Sequence, residues 1–196
     1  ILFARCRYGI CGREDYEKEW RADKNKSSGG QLMELGIHPV DLFRWMIGEI
    51  EEVSSMVSTS YYPMEPLEDN GMALMRIDNV ICTLHSSLTQ WKNLFSFEIT
   101  GTDGYISIEG LGDSYGTQKL IFGKKDYNAP FSYKITEFRG GDKSWRNEWE
   151  YFTNNIKNKV KSESDINAAI QAMKIINCCY QSSKTKKHVR LSSIRD

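Results

Sequence analysis

A chain of 196 residues with 40% hydrophobic composition is long enough for one domain or two small ones and carries the apolar mass for a buried core. Lys plus Arg and Asp plus Glu each number 26, so no net field draws the chain to nucleic acid or an anionic membrane surface. No apolar run approaches the ~20 residues of a membrane helix, and the first residues lack the charged-then-apolar order of a secretory signal, so the expected compartment is the cytoplasm.

The chain opens at Ile1 and alternates like a strand from Phe3 to Tyr8. Natural chains seldom begin inside an element, and the expectation is the back half of a longer polypeptide. Gly12 to Ser28 is polar and charged without apolar periodicity, and reads as a long loop. Loops of that length in compact domains are commonly functional, and Trp20 with Arg21 suits a cover over a sugar-like ligand. Trp20 anchoring the loop to the core accounts for the same pattern equally well.

From Gln31 the apolar residues follow helical spacing to Ile47, and Gly48 supplies a stop. Pro39 allows two arrangements: a kinked helix from about Gly30 to Ile47, or a short turn before a helix starting at Pro39. Both put His38 at a backbone irregularity. Strands are predicted over Glu49 to Tyr62, Gly71 to Asp78 and Val80 to Ser87, the last two joined by a hairpin at Asp78-Asn79. Leu94 to Thr100, Tyr105 to Glu109, Gln118 to Gly123 and Ser132 to Phe138 extend the set.

The expected class is α+β, a large, mostly antiparallel, open-faced sheet with helices packed on one face. Val80, Cys82, Phe95, Phe97 and Ile99 belong to the helix-covered face. Thr83, His85, Ser96 and Glu98 belong to the other, which would meet water or another subunit and suits a homo-oligomer. Trp145, Trp149, Phe152, Ile156 and Val160 form one helical stripe and are expected in the core. Ser164 is expected to cap a last helix carrying Ile166, Ala169, Ile170, Met173, Ile176 and Tyr180, before a final strand around Val189 to Leu191.

Cys6, Cys11, Cys82, Cys178 and Cys179 form no repeating framework and read as reduced core cysteines, and no spacing suits a metal site. Gly110-Leu111-Gly112-Asp113-Ser114-Tyr115-Gly116 has the look of a dinucleotide fingerprint, but the spacing is off by a residue and a strand follows, which leaves a glycine-rich turn. No serine or cysteine nucleophile motif occurs. Glu34 and His38, four residues apart, share a helical face if the turn persists. That pairing suits general base work, because a carboxylate can fix the tautomer of an imidazole that titrates near neutrality. A structural histidine at a helix start is the competing reading. Asp41, three residues after His38, is placed to cap the turn or to orient it.

Gly29-Gly30-Gln31-Leu32-Met33-Glu34-Leu35-Gly36-Ile37-His38-Pro39-Val40-Asp41-Leu42 resembles the C-terminal domain of the Gfo/Idh/MocA oxidoreductases. Trp20-Arg21-Ala22-Asp23, Glu68-Asp69-Asn70, Phe97 to Gly104, and Ala169 to Leu191 are similar to the same family in the expected order. The resemblance implies that residues 1–196 are one C-terminal α/β domain. An N-terminal Rossmann domain holding NAD or NADP would lie outside this chain, which would bind no cofactor by itself. It also implies hydride transfer from a carbinol carbon of a sugar, sugar derivative or cyclitol, with His38 taking the hydroxyl proton and Glu34 orienting it. Arg21, Trp20 and Asp41 would contact substrate. The family usually has aspartate where this chain has Glu34. The competing class is a non-catalytic sugar-sensing regulator or assembly domain on the same scaffold, and a third option is transient oxidation that cleaves a glycoside.

Overall fold

The computed structural model describes residues 1–193. Nine strands form one sheet: β1 (Phe3–Gly9), β2 (Glu52–Ser58), β3 (Asn70–Ile77), β4 (Val80–Ser87), β5 (Leu94–Thr100), β6 (Gly104–Glu109), β7 (Gln118–Lys124), β8 (Tyr133–Phe138) and β9 (Val189–Arg190). Their order is β8-β7-β6-β5-β1-β4-β3-β2-β9. Only β1 and β4 run parallel; every other neighbouring pair is antiparallel. The helices are α1 (Gln31–Glu34), α2 (Ile37–Met46), α3 (Ser144–Asn158) and α4 (Ile166–Thr185). The α+β class and the open, mostly antiparallel sheet are as the alternation predicts.

Register assigns the faces. Cys6 lies opposite Leu84 on one side and Phe97 on the other, while Arg7 lies between His85 and Ser96. The first set faces α1, α2 and α4: Leu32, Val40, Phe43, Ile175 and Ile176 are fully buried there against Ala4, Cys82 and Phe97. Phe43 and Phe97 meet with ring centroids 5.3 Å apart, and each such ring contributes roughly 2–3 kcal/mol through apolar area removed from water. The opposite face is open, and exposes Met56, Met72 and Leu74 beside ion pairs such as Arg5 to Glu98 at 2.9 Å.

Four local expectations are corrected. The apolar stripe of α3 is exposed, with Trp145 at 84% and Trp149 at 65%, because the chain carries this helix away from the sheet and α4 occupies the space over β2. On α4 the expected stripe is exposed at Ile166, Ala169, Ile170 and Met173 and buried at Ile176 as expected, while Ala172, Ile175 and Cys179, one step around the axis, are buried beside it. Its N-cap is Asp165 rather than Ser164; the Asp165 carboxylate accepts from the Asn167 and Ala168 amides at 2.9 and 3.0 Å. Among the cysteines, Cys6, Cys82, Cys178 and Cys179 are buried, but Cys11 is exposed on the loop after β1.

Two acids in the β2–β3 connection hold the region together. Glu68 is 4% exposed and accepts from the Gly30 amide at 3.2 Å, the Leu32 amide at 2.9 Å and the Tyr180 hydroxyl at 2.7 Å. It therefore caps α1, whose own residues supply no side-chain cap. Asp69 is fully buried and accepts from the amides of Ser60, Tyr61 and Tyr62 at 2.9, 2.7 and 3.0 Å. Burial pushes its carboxyl up, but these three amides and the Asn70 side chain outweigh that and leave it below its ordinary 3.8.

A native value below the unfolded one means that Asp69 stabilises the fold fully above pH about 4 to 5, and that this contribution is lost as pH falls through the native value. Asp69→Asn turns one acceptor into a donor facing amides, and should cost about 2–4 kcal/mol near neutrality. Urea unfolding checks both points: the wild-type midpoint should drop on acidification below pH about 4, and the variant, already destabilised, should show a shallower drop.

Candidate functional site

The glycine-to-histidine segment folds as two short helices broken at Leu35-Gly36, so neither arrangement read from Pro39 is complete. The second helix starts at Ile37, with His38 in its exposed first turn and Pro39 buried behind it. Proline is tolerated so early in a helix because the amide it lacks would have no partner there. Gly30 is required sterically: a Cβ would lie 2.0 Å from the Glu68 carbonyl oxygen. The segment is thus clamped at its entrance by Glu68 and released at Gly36, which lets His38 project.

Glu34, at the end of α1, gathers three donors. Arg21 Nε donates to Oε1 at 2.8 Å, and Gln31 Nε2 and Tyr16 Oη donate to Oε2 at 3.1 and 3.2 Å. Arg21 also stacks on Trp20, its guanidinium carbon 4.6 Å from the ring centroid, and lies 3.9 Å from Glu19, which Arg13 holds from the other side. An alternating series Arg13, Glu19, Arg21, Glu34 therefore ties the long loop to α1. Trp20 is 54% exposed, so it leans on Arg21 rather than anchoring the loop. The anchor is Tyr16, buried with Tyr62, Met64, Leu67 and Leu88 in a second, smaller core. Burial first, and the Glu34 charge second, push the Tyr16 hydroxyl far above the usual phenol range and keep it a donor.

Arg21, Trp20 and Glu34 are thus brought together, with His38 one helical step beyond. No hydrogen bond joins His38 to Glu34 among the described residues. Asp41 is engaged elsewhere, in an ion pair with Arg44 at 3.5 Å. The neighbour of His38 is Tyr8, at the end of β1, with ring centroids 6.2 Å apart, and Tyr8 in turn meets Tyr115 at 5.8 Å and Phe95 at 5.3 Å. Neither tyrosine was picked out by motif; the strand alternation that puts Tyr8 on the same face as Cys6 was the available signal. Gln31 Oε1 is buried beside Glu34 with no partner among the described residues.

A dinucleotide would need a glycine turn leading into a helix. The Gly110–Gly116 connection leads from β6 through a single 3-10 turn at Asp113–Tyr115 into β7 instead, so no α-helix follows these glycines to receive a pyrophosphate. Among the described residues no group of three or more His, Cys, Asp or Glu is placed to hold a metal ion, and no helix is long and apolar enough to cross a membrane.

Residues 1–107, more than half of the chain, match the model of the GFO/IDH/MocA C-terminal domain. The chain belongs to this family. Among solved structures, levoglucosan dehydrogenase in complex with NADH and L-sorbose is 18% identical with a TM-score of 0.83, covering 99% of this chain and 59% of its own. The WlbA dehydrogenase from Bordetella pertussis, in complex with NADH and UDP-GlcNAcA, is 18% identical with a TM-score of 0.73, covering 97% and 54%. Aldose-aldose oxidoreductase from Caulobacter crescentus, complexed with glycerol, is 16% identical with a TM-score of 0.78, covering 96% and 55%. At these identities the likeness concerns the fold. The chain spans a little over half the length of each of them.

Proposed function

We propose that this chain is the substrate-binding and oligomerisation domain of an NAD- or NADP-dependent oxidoreductase acting on a sugar, sugar derivative or cyclitol. The observation that carries the reading is His38, exposed in the first turn of α2 beside Tyr8, on the segment that also carries Glu34. The nicotinamide, held by a domain outside this chain, supplies the hydride acceptor. With such a group in place, His38 would take the proton from the carbinol hydroxyl of the substrate as the carbonyl forms. His38 suits that step because an imidazole nitrogen can accept a proton from a hydroxyl placed within hydrogen-bond reach.

Glu34 has a role in this reading that differs from a simple clamp on the imidazole. With both oxygens engaged, it fixes Arg21 and, through it, Trp20 at the rim where a polyhydroxylated ligand would enter. The longer glutamate side chain is consistent with that reach. Asp41, paired to Arg44, would contact substrate only by leaving that pair.

The exposed stripe of α3, with Trp145 and Trp149 on one face, supports a nucleotide-binding domain outside this chain as a partner. The open sheet face, with Met56, Met72 and Leu74, supports a homo-oligomer. Calorimetry separates this reading from a self-sufficient enzyme. The 196-residue chain should give no heat with NADH or NADPH at micromolar concentration, while the protein with its preceding domain should bind one of them and reduce or oxidise a sugar. Cofactor binding by the isolated chain would overturn the division of labour, and cofactor binding without turnover on any sugar or polyol would favour a regulator.

A further inference from the structure

The Gly110–Gly116 connection is built with unusual backbone care for a surface turn. Gly110, Gly112 and Gly116 have φ of 75°, 83° and 83°, and Asp113 between them has φ 44°. A Cβ at Gly110 would meet the Thr117 carbonyl oxygen at 2.6 Å. The turn closes on itself through Gly112 N to the Gly116 carbonyl at 2.9 Å, and Ser114 is tethered by Asn93, whose other amide atom accepts from the Cys11 backbone at 3.1 Å. The connection therefore presents one side chain, Tyr115, at a fixed place: against Tyr8, which is against His38.

The tyrosines near this site differ in what their hydroxyls do. Tyr16 donates to Glu34 and Tyr180 to Glu68. The Tyr8 and Tyr115 hydroxyls have no partner among the described residues beyond each other, although both rings are half-buried. In such a pair one hydroxyl keeps its proton free to donate, and both keep lone pairs that can accept from a ligand. Two such groups side by side, with apolar ring faces below them and an imidazole alongside, match a ring that has an apolar C–H face and several hydroxyls.

We infer that Tyr8 and Tyr115 are the specificity-determining pair of the site, receiving the non-reacting hydroxyls of a polyhydroxylated ring while His38 meets the reacting one. The inference rests on the oxidoreductase reading above and adds the recognition element to it. It also gives the glycine-rich turn a purpose: the turn delivers Tyr115, and no phosphate is involved.

The test uses the cofactor-loaded protein with its preceding domain and a panel of monosaccharides, polyols and nucleotide-linked sugars, levoglucosan and L-sorbose among them. Tyr8→Phe and Tyr115→Phe keep the rings and remove the hydroxyls. Each should raise KM about tenfold on the best substrate, the worth of one hydrogen bond to a ligand, with kcat within a few-fold. The penalty should vanish on the deoxy analogue lacking the hydroxyl that the tyrosine receives, which a merely structural tyrosine would not reproduce, and thermal unfolding should be unchanged. Unaltered KM in both variants, or an equal loss on every deoxy analogue, overturns the pair while leaving the oxidoreductase reading intact. Absence of turnover across the whole panel overturns that reading and this inference with it.

Discussion

Replacing His38 by alanine should, on the proposed oxidoreductase reading, lower kcat by roughly two to four orders of magnitude when a nicotinamide-binding domain accompanies the chain, with little change in substrate affinity, because a proton acceptor is used in the transition state and not in binding. The fold should survive, since His38 is exposed, its ring meets Tyr8 at the edge of the core, and its amide bond to the Leu35 carbonyl at 3.3 Å is kept by alanine. Steady-state rates read beside a thermal melt check both halves. Turnover within a few-fold of wild type would remove His38 from the chemistry. This profile is the opposite of that expected from the tyrosines, where KM moves and kcat stays.

The largest stability effect is expected from the smallest substitution. Gly30→Ala forces a methyl group to within 2.0 Å of the Glu68 carbonyl oxygen and 2.6 Å of its amide nitrogen, and both are backbone atoms that cannot swing aside. The clash also pushes apart the Glu68 carboxylate and the Gly30 and Leu32 amides it caps. A loss of about 3–5 kcal/mol is expected, visible as a large fall in the urea midpoint. Activity should fall with stability, because α1 carries Gln31 and Glu34. Gly141→Ala, where an added Cβ meets nothing within 4 Å, is the matched control and should be close to neutral.

The sheet was readable because its strands alternate and its turns are short: β4 with Cys82 inward and Thr83 outward, and the Asp78-Asn79 hairpin, follow from local chemistry alone. Asp78 accepts the left-handed φ of 48° that glycine would ordinarily take. Periodicity misled at α3 and on part of α4. A helical apolar stripe states that a face seeks cover and is silent on what provides it, so Trp145 and Ile170 read as core yet lie exposed in this chain. The site was half legible. Spacing paired Glu34 with His38, but Tyr16 and Gln31, which take up the carboxylate along with Arg21, come from the loop and from the same short helix, and only the folded chain shows that their donors converge. Glu68 and Asp69 stood out by resemblance, and their hydrogen bonds to Gly30, Leu32 and residues 60–62 explain why acids are needed there.

The cysteines give the molecule a built-in attachment point. Burial pushes the thiols of Cys82 and Cys179 up to about 11 and about 12, and raises those of Cys6 and Cys178 as well, so four of the five resist thiolate chemistry near neutrality. Cys11 alone faces solvent, and its backbone amide is tied through Asn93 to the turn that presents Tyr115. Among these residues a maleimide dye should therefore attach at Cys11, on the segment tied through Asn93 to the turn that presents Tyr115. The backbone of that attachment point and the hydroxyl of Ser114 thus share one asparagine side chain, which makes Cys11 the place to put a probe of the turn.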